Sequence, residues 1–264
     1  RGMEIDPYPD IHSYDVTPTP TPTTIPEPSE FVSLSQGNSE YGYEDPFIED
    51  NWSFTGSSGY VDSSSIDLLD HQSGTDCGSA YLTFAENVGE DYEFYTRFTF
   101  SRENGTENGF AFIVEPDNSE VGFYGSNGYN MHQNSLIVEF DFNPQSGYSC
   151  FNEFGDFVEY NESNSHVGVI INGNEEQHYA VADYPEMRET DKITDAWVDY
   201  DGETLSIYVC TINQYGHIYK YEDPLISFEI DLEELFGGET NLYMGFVSKD
   251  ADKDTDLILH GFEI

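Results

Sequence analysis

Positive charge is scarce in this chain: eight Lys and Arg stand against 52 Asp and Glu, for a formal net charge of −44 over 264 residues. A surface that acidic repels nucleic acid and anionic membrane and attracts cations instead. Polyanionic partners are close to excluded, and the load fits a secreted or surface-exposed protein, or one from a salty environment. Cysteine is also rare, and Cys77, Cys150 and Cys210 are too few and odd in number for a disulfide framework. Their spacing has no CxxC character for zinc or redox work. At most one bridge can form, with buried free thiols the open alternative, and Cys210, closing LSIYVC, has the most core-like setting. No run of ~18 or more apolar residues occurs, so no membrane insertion is expected. Arg1–Asp10 lacks the basic start and apolar run of a signal peptide, from which we expect a mature or excised chain. A GxSxG elbow, a Cys–His nucleophile signature and an HExxH zinc motif are missing as well.

What the chain does have is first a tail and then a dense β pattern. Residues 1–44 contain TPTPTPTTIPEPSE, whose Thr-Pro alternation removes ladder donors and prefers extended polyproline conformations. We read them as a disordered linker or stalk, suited to a cell-surface or multi-modular protein. Asn51, Asn104 and Asn161 open triplets that match glycosylation acceptors. From residue 45 to 264, short runs of Tyr, Phe, Val, Ile and Thr are punctuated by Gly, Asn, Asp and Ser, with almost no helical period. The spacing of YEFYTRFTF, GFAFIVEP, SLIVEFDF, HVGVIIN, AWVDY, TLSIYVCTI, LISFEI, LYMGFVS and LILHGFEI predicts an all-β fold, a two-sheet antiparallel sandwich of one domain. IDLEELFGG (Ile230–Gly238) is the one predicted helical turn, stopped by its two glycines.

Within that pattern, SLIVEFDF (Ser135–Phe142) alternates apolar and acidic residues, as a half-buried strand does, with Glu139 and Asp141 side by side on its outward face. Two neighbouring carboxylates do not both stay ionised cheaply, so they call for a cation between them or a proton on one. His166, opening HVGVIING on a predicted neighbouring strand, favours the metal.

In chain order, TENGFAFIVEP, VGFYG, VEFDFN and HVGVIING resemble the landmark segments of the legume-type (L-type) lectins. NWSFTGSSGYVDSSSIDLL, CGSAYLTF and EFYTRFTF look like that family's opening strands; AWVDYDGETLSIYV and LYMGFVSKDADKDTDLILHGFEI look like its closing ones. The resemblance runs from about Asp45 to Ile264. It implies a concanavalin-like jelly-roll sandwich that binds carbohydrate with Ca2+, with a second, transition-metal ion such as Mn2+ beside it.

Carried over residue by residue, the resemblance gives Glu139, Asp141 and His166 as metal ligands. Mixed carboxylate and imidazole ligation suits a transition ion, and oxygen ligands around Asp141 suit calcium. The loop between them departs from the family, which places an Asn and then an Asp shortly before the His, where this chain has Asn161. Its loop is longer and offers Asn143, Asn152 and Asp156. Asp156 is the favoured second carboxylate, since Asn161 would leave the transition-metal site one charge short. For the sugar, the resemblance implies Asn108 at the family's Asp position, Gly122 at its glycine position, Asn143 or Asn152 as the shared Asn, and the variable loop from Lys249 through Asp250 and Asp252 to Asp254. Asn108 departs too, because a neutral amide accepts from sugar hydroxyls more weakly than a carboxylate. DADKDTD (Asp250–Asp256) spaces acids like a calcium loop but lacks the sixth-position glycine and twelfth-position glutamate of an EF-hand.

A sandwich-fold glycoside hydrolase is the rival from another class, since such enzymes place carboxylates on an ExDxxE strand. Here Asp141 is followed by Phe142, Asn143, Pro144 and Gln145, so the third acid is missing and a double displacement lacks its proton donor. We therefore expect a non-catalytic carbohydrate-binding module, an adhesin or targeting domain at the cell surface or outside the cell. Its partner would be a glycan or glycoprotein; a structural spacer with a degenerate sugar site is the third reading.

Overall fold

The computed structural model describes residues 51–62, 65–69, 77–103, 109–116, 132–142, 146–151, 157–161, 165–174, 177–190, 192–213, 220–249 and 256–264. The predicted tail, residues 1–44, lies outside them. The chain opens with β1 (Trp52–Gly56), β2 (Gly59–Asp62), β3 (Ser65–Leu69), β4 (Cys77–Leu82), β5 (Glu86–Asn87) and β6 (Phe94–Glu103). It continues through β7 (Gly109–Glu115), β8 (Leu136–Asp141), β9 (Ser146–Phe151), β10 (Phe157–Asn161), β11 (His166–Ile171), β12 (Gln177–His178) and β13 (Ala180–Asp183). It closes with β14 (Lys192–Tyr200), β15 (Thr204–Asn213), β16 (Ile226–Glu229), α1 (Leu232–Phe236), β17 (Asn241–Lys249) and β18 (Asp256–Glu263).

These strands make the predicted sandwich. One sheet runs β1-β4-β17-β7-β8-β11-β13 with β5 added on β17, and the facing sheet runs β16-β15-β14-β6-β18-β3-β2. The core between them is largely phenylalanine. Phe98 and Phe100 of β6 meet Phe110 and Phe112 of β7, Phe140 of β8 and Phe246 of β17, all at most 2% exposed. Phe110 stacks on Phe140 at 4.8 Å and 7°, while Phe98 meets Phe140 edge to face at 5.5 Å. Each such pair adds about 0.5–1.5 kcal/mol beyond the area it buries.

Two expectations need correction. The strand at Leu136–Asp141 is buried along its whole length and has no outward face in water. A second apolar cluster of Tyr81, Ala111, Ile113, Ile137, Ile170 and Val247 covers the far side of its sheet. Ile137 and Ile170 carry that second cluster, so the strand reads as two-sided. The expected long loop between Asp141 and His166 contains the antiparallel pair β9 and β10, with β12 added in parallel along β9. The short alternations in SGYSCF and FVEYN are strand signals that a loop reading passes over. The predicted helical turn, by contrast, is present. Asp231 caps α1 by accepting from the Glu234 amide at 2.8 Å, and Gly237, at φ 64°, ends it in the left-handed region.

The outer face of the second sheet carries a buried charge. Asp195 of β14 accepts from Arg97 of β6 at 3.3 Å and from the Thr99 hydroxyl, while Arg97 lies 5.7 Å from the centre of the Trp197 ring. Burial pushes the Asp195 carboxyl up from 3.8 to about 6, against the pull of Arg97 and Thr99. Between those values the folded chain holds a proton that the unfolded chain has lost. The stabilisation is therefore complete below pH 3.8 and disappears as pH rises through about 6. At about 1.4 kcal/mol per unit it amounts to at most about 3 kcal/mol. Asp195→Asn should flatten the stability slope between pH 4 and 6 by that order, read from urea denaturation at each pH. An unaltered slope in the variant would show that Asp195 titrates normally.

Candidate functional site

The face of β8 opposite the phenylalanines presents Glu139. Its register partners are Ala111 on β7 and Gly168 on β11, both small, which leaves room above the carboxylate. His166 lies one step further along β11, directly opposite Asp141 and diagonal to Glu139. A second imidazole fills the remaining space. His178, at the end of β12, is held in place by the Tyr179 amide donating to the Val169 carbonyl at 2.7 Å.

The Nε2 of His178 lies 2.7 Å from Glu139 Oε2, and the Nε2 of His166 lies 3.3 Å from the same oxygen. The two rings stand nearly perpendicular, 85° apart, with centres separated by 5.3 Å. Glu139, His166 and His178 are 2%, 0% and 1% exposed, so water does not screen them. Burial pushes the Glu139 carboxyl up. The hydrogen bonds and charge of the two imidazoles outweigh that and hold it well below the usual carboxylate range. Gly168 is required here: a Cβ would stand 2.8 Å from His178 Nε2, in the space the ring occupies.

The structure thus brings together Glu139 and His166 of the expected metal ligands, with Asp141, 4% exposed, next along the same face. Asn143, Asp156 and Asn152 lie outside the described residues, as do Asn108, Gly122, Asp250 and Asp252 of the expected sugar site. Asn161 ends β10, across from Ser146. Lys249 ends β17, its backbone paired with Cys77. His178 is the residue that reading the sequence missed. Its signal was present in QHYAVAD, a short alternating run that folds back over Gly168.

A second buried acid sits on the same face, on β7. Glu115 Oε2 is 2.9 Å from His132 Nδ1, both groups being at most 2% exposed. Tyr81 lies against Gly245, where no Cβ fits. Burial and then the charge of Glu115 push the Tyr81 hydroxyl well above its ordinary range, so it stays protonated.

The legume lectin domain model matches residues 41–262, and the chain belongs to that family. Its fold is similar to the VIP36 exoplasmic/lumenal domain in its Ca2+/Man-bound form, at 14% identity and a TM-score of 0.58 over 80% of this chain and 81% of that one. It is similar also to the seed lectin of Lotus tetragonolobus, at 16% identity and 0.59 over 83% and 94%. Peanut lectin gives 16% identity and 0.59 over 83% and 93%. At such identities the likeness is one of fold. No curated protein matches the chain by sequence.

Gly168→Ala tests the packing of the site. The added methyl must displace the His178 ring, and overpacking of this kind costs about 1–3 kcal/mol. We expect a loss of that size in chemical denaturation. Unchanged stability would mean that His178 swings away freely and does not seat on Glu139.

Proposed function

We propose that this domain binds carbohydrate in a calcium-dependent, non-catalytic manner, as an adhesin or targeting module outside the cell or at its surface. One observation carries the reading: a chain of the legume lectin family keeps buried carboxylates and imidazoles on the strand face where that family's resemblance puts metal ligands. Asp141 and the oxygens of the segment after it suit calcium, which takes 6–8 oxygen ligands at about 2.3–2.6 Å. Amides and carboxylates beside such an ion would face vicinal hydroxyls, the chemistry by which a protein recognises a sugar. The VIP36 neighbours in Ca2+/Man, Ca2+/Man2 and Ca2+/Man3GlcNAc forms make mannose-type glycans the first ligands to try. The missing third acid after Asp141 supports a binder over a hydrolase.

Calcium should stabilise the native state by RT ln(1 + [L]/Kd), about 2.7 kcal/mol at a hundredfold excess. Asp141→Ala should abolish the gain. Melting curves in calcium and in chelator at fixed ionic strength check it, and identical curves for the wild type would remove the calcium site.

A glycan array run in calcium and again in chelator should give hits in the first only. For any hit, Asn108→Asp should strengthen binding by about 1 kcal/mol by making the acceptor charged. Equal affinities in calorimetry would place the working sugar contacts away from Asn108. Hydrolysis of β-glucan, mannan or xylan that is lost in Glu139→Gln would overturn the non-catalytic reading.

A further inference from the structure

We propose that Arg102 is a positioning residue: from inside the sandwich it braces the ends of β8 and β11, the strands that carry Asp141 and His166. The proposal rests on the calcium reading above, because those ends are where that ion would sit. Arg102 lies on β6 in register with Leu257 and, at 5% exposed, belongs to the interior with Phe98 and Phe100. Its guanidinium stands 5.0 Å from the centre of the Phe142 ring, and its Nη2 donates to the Arg188 carbonyl. Phe142 follows Asp141 directly and packs on Phe100 and Phe110, with ring centres 6.2 Å away in each case. Arg188 closes a short 3₁₀ turn, Pro185–Arg188, entered from Tyr184. The Tyr184 amide donates to the Ser165 carbonyl at 2.7 Å, and the Ser165 hydroxyl donates to the Tyr184 carbonyl at 3.1 Å. Ser165 immediately precedes His166. One side chain thus meets the exit of β8 and, through the turn, the entry of β11.

Packing alone does not account for a guanidinium at this place. Its Nε and Nη1 are buried and reach no acceptor among the described residues. Burial, and then the charge of Arg188, push its pKa down. A buried cation so poorly matched is a liability, and an apolar side chain of similar volume is often neutral or better there. An apolar chain would not, however, hold two segments at once. The flat guanidinium lies against a ring while an N–H reaches a carbonyl, a combination that lysine does not reproduce. Its positive charge opposes a nearby cation, so any benefit to calcium is one of geometry. Stability and calcium affinity therefore respond differently to its loss.

The experiment is calcium titration calorimetry on the whole chain at about 0.15 M salt, comparing the wild type with Arg102→Lys and Arg102→Met. Both variants should bind calcium at least about tenfold more weakly, the loss expected when a group that orients metal ligands is removed. In chelator, Arg102→Met should melt at or above the wild-type temperature. A residue needed only for the fold would give the reverse, a lower melting temperature in chelator with calcium affinity unchanged. That result, or Arg102→Lys binding calcium as the wild type does, overturns the proposal. If Arg102→Met does not fold, the affinity of Arg102→Lys decides. A wild type that binds no calcium would remove the calcium reading, and amide exchange in chelator would then test the brace by itself. Arg102→Met should speed exchange at the Tyr184 amide and leave Val198, buried in β14, as it was. Unchanged exchange at Tyr184 overturns the brace.

Discussion

The structure depends on the two-residue period of β8. Leu136, Val138 and Phe140 point into the sandwich, so Ile137, Glu139 and Asp141 point the other way. A slip of one residue would drive two carboxylates into a nest of phenylalanines and expel Phe140, an error worth many kcal/mol. The aromatic stack of Phe110 on Phe140 therefore does more than fill space. By fixing which face Phe140 takes, it fixes where Glu139 emerges, and with it the register that sets His166 diagonal to Glu139.

With so few lysines and arginines, each buried acid must find another partner. Arg97 serves Asp195 on the outer face of the second sheet. On the first sheet no arginine or lysine is bridged to the buried acids among the described residues, and histidine takes the role: His132 beside Glu115, and His166 and His178 beside Glu139. An imidazole donates a hydrogen bond when neutral and adds charge when protonated, so it compensates a buried carboxylate without the permanent cost of a buried cation. The net charge of −44 makes that choice stronger, because every added proton or metal ion relieves self-repulsion.

Much of this was legible in the sequence, and the limits have physical causes. The nine predicted strands appear because alternation and β-branched or aromatic content are local signals, and the capped turn at Asp231–Gly238 appears because its punctuation is local too. The burial of both faces of β8 was not legible: it depends on what packs over the sheet, which is a long-range property. His178 was missed for the same reason. Its strand is two residues long, and long-range pairings, of β12 along β9 and of β13 with β11, carry it back over Gly168. The ligands that the resemblance implies lie between Glu139 and His166, and His178 falls beyond that stretch.

Gly168 and His178 form a matched pair, each meaningful only with the other. A bulkier residue at 168 would close the space above Glu139, and a bare glycine there without His178 would leave a buried carboxylate with one imidazole and a void beside it. An unfilled space of that kind costs stability in proportion to its volume, and a buried carboxylate short of donors costs more. The fold therefore requires a polar group at position 178 whether or not an ion binds. The imidazole meets that need by bringing its Nε2 to 2.7 Å from Glu139 Oε2.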